Sequence, residues 1–201
     1  AHTELHVLGK SGAPRPFITG KTAVRGIAWT PDGEAVTFLA KRSGDDNTDL
    51  YRISLSGGEA HKALDHNAGV QSYHWHPDGE QVVFTAKYPV SKDRKSLKKK
   101  GFKAKVFEED LRPVKLWVAK VKNADHKSIR TPAKADEARE IQLEGSVSSP
   151  RWSPDGSRIA VAMAPTPLID DQFMNRKILL LDAQTGKEEG RVDGPGKLGS
   201  F

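Results

Sequence analysis

Four groups of side chains in this 201-residue chain have the types and spacing that chemistry uses. His74 and His76 alternate along one stretch, which would set two imidazoles on the same face of a strand, close enough to share a metal ion. Asp45, Asn47 and Asp49 have the alternate-residue spacing of a calcium loop. Asp170 and Asp171 offer a carboxylate pair near Arg176, raw material for general acid–base work. Residues 92–105 carry eight lysines and arginines against one acid, Asp93, a density suited to tracking phosphates.

Each group also has a plainer reading, and the surrounding residues favour it. The two histidines fall where related segments of the chain have Ala28 and Thr30, or Arg151 and Ser153, so they read as ordinary structural histidines. In the calcium-like trio the glycine needed at the sixth position is Leu50 and the glutamate needed at the twelfth is Ser56, which leaves a solvated loop. Asp170 and Asp171 have no partner histidine in view and read as a loop ion pair or solvated acids. The basic run has Phe102 as its one interleaved aromatic and is followed by Glu108, Glu109 and Asp110, so it reads as a surface excursion able to touch a catalytic domain or a neighbouring subunit. Nucleic acid is disfavoured as a partner. Of the net charge of +6, this run supplies +7 and the rest of the chain −1, so basicity belongs to one segment.

Other classes fall away on composition. The chain has no cysteine, which excludes disulfides, thiolate metal sites and a cysteine nucleophile. No stretch approaches the roughly 18 apolar residues of a membrane span, and no basic-then-apolar signal segment opens the sequence. The compartment stays open between cytoplasmic and periplasmic or secreted. No catalytic residue, cofactor or metal is expected.

The elements that must carry these residues announce themselves by repetition. Trp29-Thr30-Pro31-Asp32-Gly33, Trp75-His76-Pro77-Asp78-Gly79 and Trp152-Ser153-Pro154-Asp155-Gly156 align without gaps, and each leads into an apolar run. Proline presets φ for the first central position of a type I turn, aspartate accepts from nearby backbone N–H groups, and glycine supplies the left-handed residue that returns the chain antiparallel. All four tryptophans, Trp117 included, are expected in the core. The second strands (Val36 to Ala40, Val82 to Ala86, Ile159 to Ala164) are apolar on successive residues, as strands covered on both faces are. Third strands follow at Asp49–Leu55, Lys115–Val121 and Lys177–Asp182, and fourth strands after Gly57-Gly58 and Thr185-Gly186 turns.

This predicts an all-β fold: four-stranded β-propeller blades. The expected units are the end of a blade over 1–24, blades over 25–67, 68–146 and 147–195, and the start of another over 196–201. Trp29 to Trp75 spans 46 residues and Trp75 to Trp152 spans 77, so the middle blade carries an insertion, placed at about 88–113. Partial blades at both ends point to a fragment of a larger ring; a four-bladed ring closed by the two termini is the alternative.

The repeat resembles that shared by TolB-type periplasmic proteins and the prolyl oligopeptidase family of serine peptidases. The insertion, with Lys100-Gly101-Phe102-Lys103-Ala104-Lys105-Val106-Phe107-Glu108 ahead of Leu116-Trp117, is similar to the acylaminoacyl-peptidase and dipeptidyl-peptidase-like members. The resemblance implies a propeller that caps an α/β-hydrolase domain of the same protein and gates peptide substrates. The sequence contains no Gly-x-Ser-x-Gly nucleophile elbow, so the chain itself is expected to be non-catalytic. A non-enzymatic TolB-like interaction scaffold is the alternative.

Overall fold

A computed structural model describes residues 3–9, 12–88, 90–102, 104, 111–121 and 137–194. Its first two strands, β1 (Leu5–Leu8) and β2 (Pro14–Ile18), form a two-stranded antiparallel sheet. Three four-stranded antiparallel meanders follow. The first contains β3 (Arg25–Trp29), β4 (Ala35–Ala40), β5 (Asp49–Ser54) and β6 (His61–Leu64). The second contains β7 (Val70–Trp75), β8 (Gln81–Lys87), β9 (Val114–Lys120) and β10 (Arg139–Ile141), with helix α1 (Lys92–Lys99) between β8 and β9. The third contains β11 (Ser146–Trp152), β12 (Arg158–Ala164), β13 (Lys177–Asp182) and β14 (Glu188–Val192), with helix α2 (Ile169–Met174) between β12 and β13.

The Pro-Asp-Gly turns close as their chemistry requires. The glycine N–H donates to the carbonyl three residues back at 2.9 Å in all three: Gly33 to Thr30, Gly79 to His76 and Gly156 to Ser153. These glycines have φ of 72°, 75° and 71°, backbone that L side chains seldom adopt. The aspartate accepts from the N–H two residues on, Asp32 from Glu34, Asp78 from Glu80 and Asp155 from Ser157. The residue between Trp and Pro, variable in the repeat, has a shared task. Thr30 and Ser153 donate their hydroxyls to Asp32 and Asp155 at 2.5 Å, and His76 Nδ1 lies 2.7 Å from Asp78 Oδ1.

The core lies between the sheets. Every residue of β4 is buried, as are the five central residues of β8, which explains their unbroken apolar runs. Phe38, Leu50, Val70, Phe84, Leu116, Ile159 and Leu181 are among the fully buried side chains. The first strands of the second and third sheets, β7 and β11, lie against one another, and β4 of the first sheet meets β7 of the second.

One expectation needs correction. Trp75 and Trp152 are buried at 6% and 7% exposure, but Trp29 is 57% exposed. A tryptophan at this position packs on the preceding sheet: Trp75 Nε1 donates to Thr37 Oγ1 at 3.0 Å, and the Trp152 ring meets the His76 ring at 4.6 Å. Among the described residues the two-stranded β1–β2 sheet precedes β3 and leaves Trp29 open. The length excess of the second sheet is divided. Twenty-six residues join β8 to β9 and eighteen join β9 to β10, against eight and six at the equivalent places of the first sheet. Lys103, Lys105, Val106 to Asp110 and the start of another blade over 196–201 lie outside the described residues.

Candidate functional site on the long-connection face

Meander topology sorts the connections onto two ends. One end carries the Pro-Asp-Gly turns and the short third-to-fourth strand links of the first and third sheets. The other carries the second-to-third strand connections (41–48, 88–113 and 165–176) and the links from sheet to sheet (65–69 and 142–145). Long connections on a rigid scaffold are where binding residues concentrate. Of the large apolar side chains left exposed, Tyr88, Leu97, Phe102, Leu111, Ile169, Phe173 and Met174 all belong to these long connections.

A cleft of about 1080 Å³ opens on this end, between the 41–48 loop, the 65–69 link and the insertion of the second sheet. Its floor is an ion cluster, buried at Asp49 and open to solvent at Asp65. Lys62 Nζ lies 2.8 Å from Asp49 Oδ2 and 2.9 Å from Asp45 Oδ1, with Asp65 at 3.8 Å. Asp45 also accepts from the Tyr51 hydroxyl and the Arg42 N–H. Burial works against the Asp45 charge, yet the Tyr51, Lys62 and Arg42 donors outweigh it and hold its carboxyl below the usual range. Asp49, more deeply buried, is pushed up by desolvation, which the Lys62 hydrogen bond only partly offsets. The calcium-like spacing of Asp45, Asn47 and Asp49 therefore serves an ammonium group: Lys62 stands at the centre of the carboxylates, and Asn47 donates to the Asn67 carbonyl.

The walls of the cleft are basic. Lys95 and Lys99, one helical turn apart on α1, line it together with Arg112, Lys87 and Arg25. Ser91 caps α1 by accepting from the Arg94 N–H at 3.2 Å, and Lys98 and Lys99 sit at the negative end of the helix dipole. α1 has no buried residue, so it is held by its cap and its ends and not by a core face. The two arginines are anchored through backbone carbonyls: Arg25 Nη2 donates to Val70 at 3.3 Å, and Arg112 Nη1 donates to Tyr88. Behind the wall, His66 is clasped edge-on by Phe84 at 5.3 Å and Trp117 at 4.8 Å; burial lowers its pKa and keeps it neutral.

A second, smaller cleft of about 250 Å³ on the same end lies beside α2, lined by Gln71, Ser148, Gln172, Phe173 and Arg176. Asp170 and Asp171 sit on α2, not in an irregular loop. Asp171 accepts from the Thr166 hydroxyl at 2.5 Å and the Asn175 amide at 2.7 Å, and these bonds lower its pKa. It closes the ends of a short helix.

His74 and His76 lie away from both clefts, between the second and third sheets. His74 Nδ1 accepts the Trp152 N–H at 3.2 Å, while the His76 ring stands edge-on to Trp152. Burial, then the nearby Arg151 charge, depresses the His74 pKa. The described residues contain no cluster of three or more metal-ligating side chains, and no helix among them is long and apolar enough to cross a membrane. The repeat residues Trp29, Pro31, Asp32, Gly33, Trp75, Pro77, Asp78, Gly79, Trp152, Pro154, Asp155 and Gly156 all lie at the opposite end, where they build turns. Sequence reasoning assigned no site role to Arg25, Lys62, Lys87 or Arg112. The available signal was a lysine in the short strand expected near Ala60–Leu64; for Arg25 there was none.

No family model matches the sequence. Over 61 residues, 30% of this chain, it is 38% identical to the uncharacterized peptidase YuxL of Bacillus subtilis (strain 168), of which the match covers 9%. Among solved structures it resembles a TolB protein from Agrobacterium tumefaciens with a TM-score of 0.61 and 17% identity, covering 98% of this chain and 59% of that one. A prolyl endopeptidase matches with a TM-score of 0.58 and 15% identity, over 94% of this chain and 25% of its own. A chain of the nidogen–laminin complex matches with a TM-score of 0.57 and 12% identity, over 96% and 59%. The chain thus spans less than two thirds of each of these relatives. The fold is a β-propeller of the kind found in TolB-like proteins and in peptidases.

Proposed function

We infer that this chain is the non-catalytic propeller part of a serine peptidase of the prolyl oligopeptidase type, and that it restricts which peptides reach a hydrolase domain carried by the same protein. The observation that carries the reading is the long-connection face. There α1 and α2 stand beside two clefts and hold Leu97, Ile169 and Phe173 out to solvent, with Phe102 exposed just after α1, a surface suited to meeting another domain. The local likeness to a curated peptidase supports the same reading. Gating of this kind needs a face that is open to peptide and rigid behind it, and the paired buried sheets supply the rigidity.

The test uses the protein that carries this chain, assayed with internally quenched peptides of increasing length and with a dipeptide ester. Deleting residues 92–102 is expected to raise kcat/KM for long peptides while leaving the ester nearly unchanged. Equal change for every substrate would remove the gating role. A protein with no hydrolysis and no labelling by a serine-directed phosphonate would instead leave the propeller as an interaction scaffold, the reading favoured by the TolB likeness.

A further inference from the structure

We propose that the larger cleft is a carboxylate-binding site that takes acidic segments of peptides. The proposal rests on the peptide-gating reading above for its biological setting, but not for its chemistry.

Four carboxylates line the cleft: Asp45, Asp49 and Asp65 lie against Lys62, and Asp46 pairs with no cation among the described residues. Among the described residues the lining holds seven cations, Lys41 and Lys62 included, against those four carboxylates, and none of the four pairs with the wall cations Arg25, Lys87, Lys95, Lys99 or Arg112. The wall cations come from three separate stretches: the start of β3, the end of β8 with α1, and the segment before β9. A solvated basic helix would scatter such charges outward. Here Lys95 and Lys99 share one side of α1 and line the cleft, whereas Lys92, Lys98 and Lys100 do not.

Shape and mixed polarity favour peptide over nucleic acid. A volume of about 1080 Å³ is that of a site for several peptide residues. Each arginine spends part of its fork on a backbone carbonyl, which fixes the guanidinium and leaves N–H donors for a planar carboxylate. Among the described residues no exposed aromatic ring lines the cleft. Its one aromatic-type ring, His66, is buried against Phe84 and Trp117, so bases would find no stacking platform.

The experiment is fluorescence anisotropy on the protein that carries this chain, with a labelled Glu-rich octapeptide, its Gln-rich counterpart and a single-stranded oligonucleotide of equal charge. The Glu peptide is expected to bind, with roughly tenfold loss on replacing Glu by Gln and roughly tenfold loss in the K95E/K99E variant. K98E/K100E, which changes the same net charge outside the cleft, is expected to shift affinity less than about twofold. Equal losses in the two variants would reduce the effect to diffuse charge and overturn the proposal, as would Glu and Gln peptides that bind alike. Tighter binding of the oligonucleotide, competing with the Glu peptide, would replace it with a phosphate site. The readout needs no catalysis. A protein without peptidase activity that still binds the Glu peptide would sink the gating reading alone, and a length-gated peptidase blind to the Glu peptide would sink this one alone.

Discussion

At the scale of single residues, the joints between sheets are made of polar atoms placed in apolar surroundings. Thr37 is fully buried, yet its hydroxyl accepts from Trp75 Nε1 and shares a 2.8 Å hydrogen bond with the Tyr73 hydroxyl, which in turn donates to the Gly26 carbonyl. The equivalent position one sheet on is Val83, opposite His74 as Thr37 is opposite Ala28. Valine offers no acceptor, and Trp152 Nε1 is buried without a hydrogen-bond partner. Two isosteric exchanges should therefore have opposite signs. Thr37→Val is expected to cost about 1–3 kcal/mol, the penalty of stranding a buried donor. Val83→Thr is expected to be neutral or to stabilise by up to about 1 kcal/mol, by giving Trp152 Nε1 an acceptor. Urea unfolding of both variants checks this, and equal losses would show that the hydroxyl of Thr37 is incidental. None of this was legible in the sequence. The Trp-x-Pro-Asp-Gly turn was, because its bonds join residues two to three apart; the role of Thr37 depends on residue 75 of another sheet.

At the scale of elements, the turns do more than reverse the chain. Gly33 has open space where a Cβ would go, whereas a Cβ on Gly156 would meet His76 Nε2 at 2.2 Å. Both glycines need left-handed backbone, which costs alanine about 1–2 kcal/mol. Gly33→Ala should lose that amount. Gly156→Ala should lose a further ~1–3 kcal/mol, because His76 must leave the Trp152 ring. The extra loss should disappear when Gly156→Ala is compared in a His76→Ala background, with thermal unfolding as the measurement. Strands were readable from pattern because β4 and β8 are covered on both faces by sheets that obey the same pattern. The two histidines were readable only as non-catalytic. Their actual task, clasping β11, lies 78 residues away along the chain for His74 and the Trp152 N–H.

At the scale of the whole molecule, the insertion and the Pro-Asp-Gly turns occupy opposite ends. The basic insertion stands on the long-connection end beside the clefts, while the turn end is built from Asp32, Asp78 and Asp155 and their hydrogen bonds. Composition showed that the positive charge is segmental. It could not show that five cations from three stretches converge on one cleft, since convergence is a property of how neighbouring sheets are stacked. The same dependence accounts for Trp29: its place in the repeat matches Trp75 and Trp152, but its environment is set by what lies against β3. That open indole is a built-in optical reporter. In this chain Trp29 should dominate acrylamide-quenchable emission, and Trp29→Phe should remove most of that quenching while sparing the protected signal of the other three indoles. Whatever body settles on β3 would then announce itself as a blue shift and a loss of quenching, with no label added.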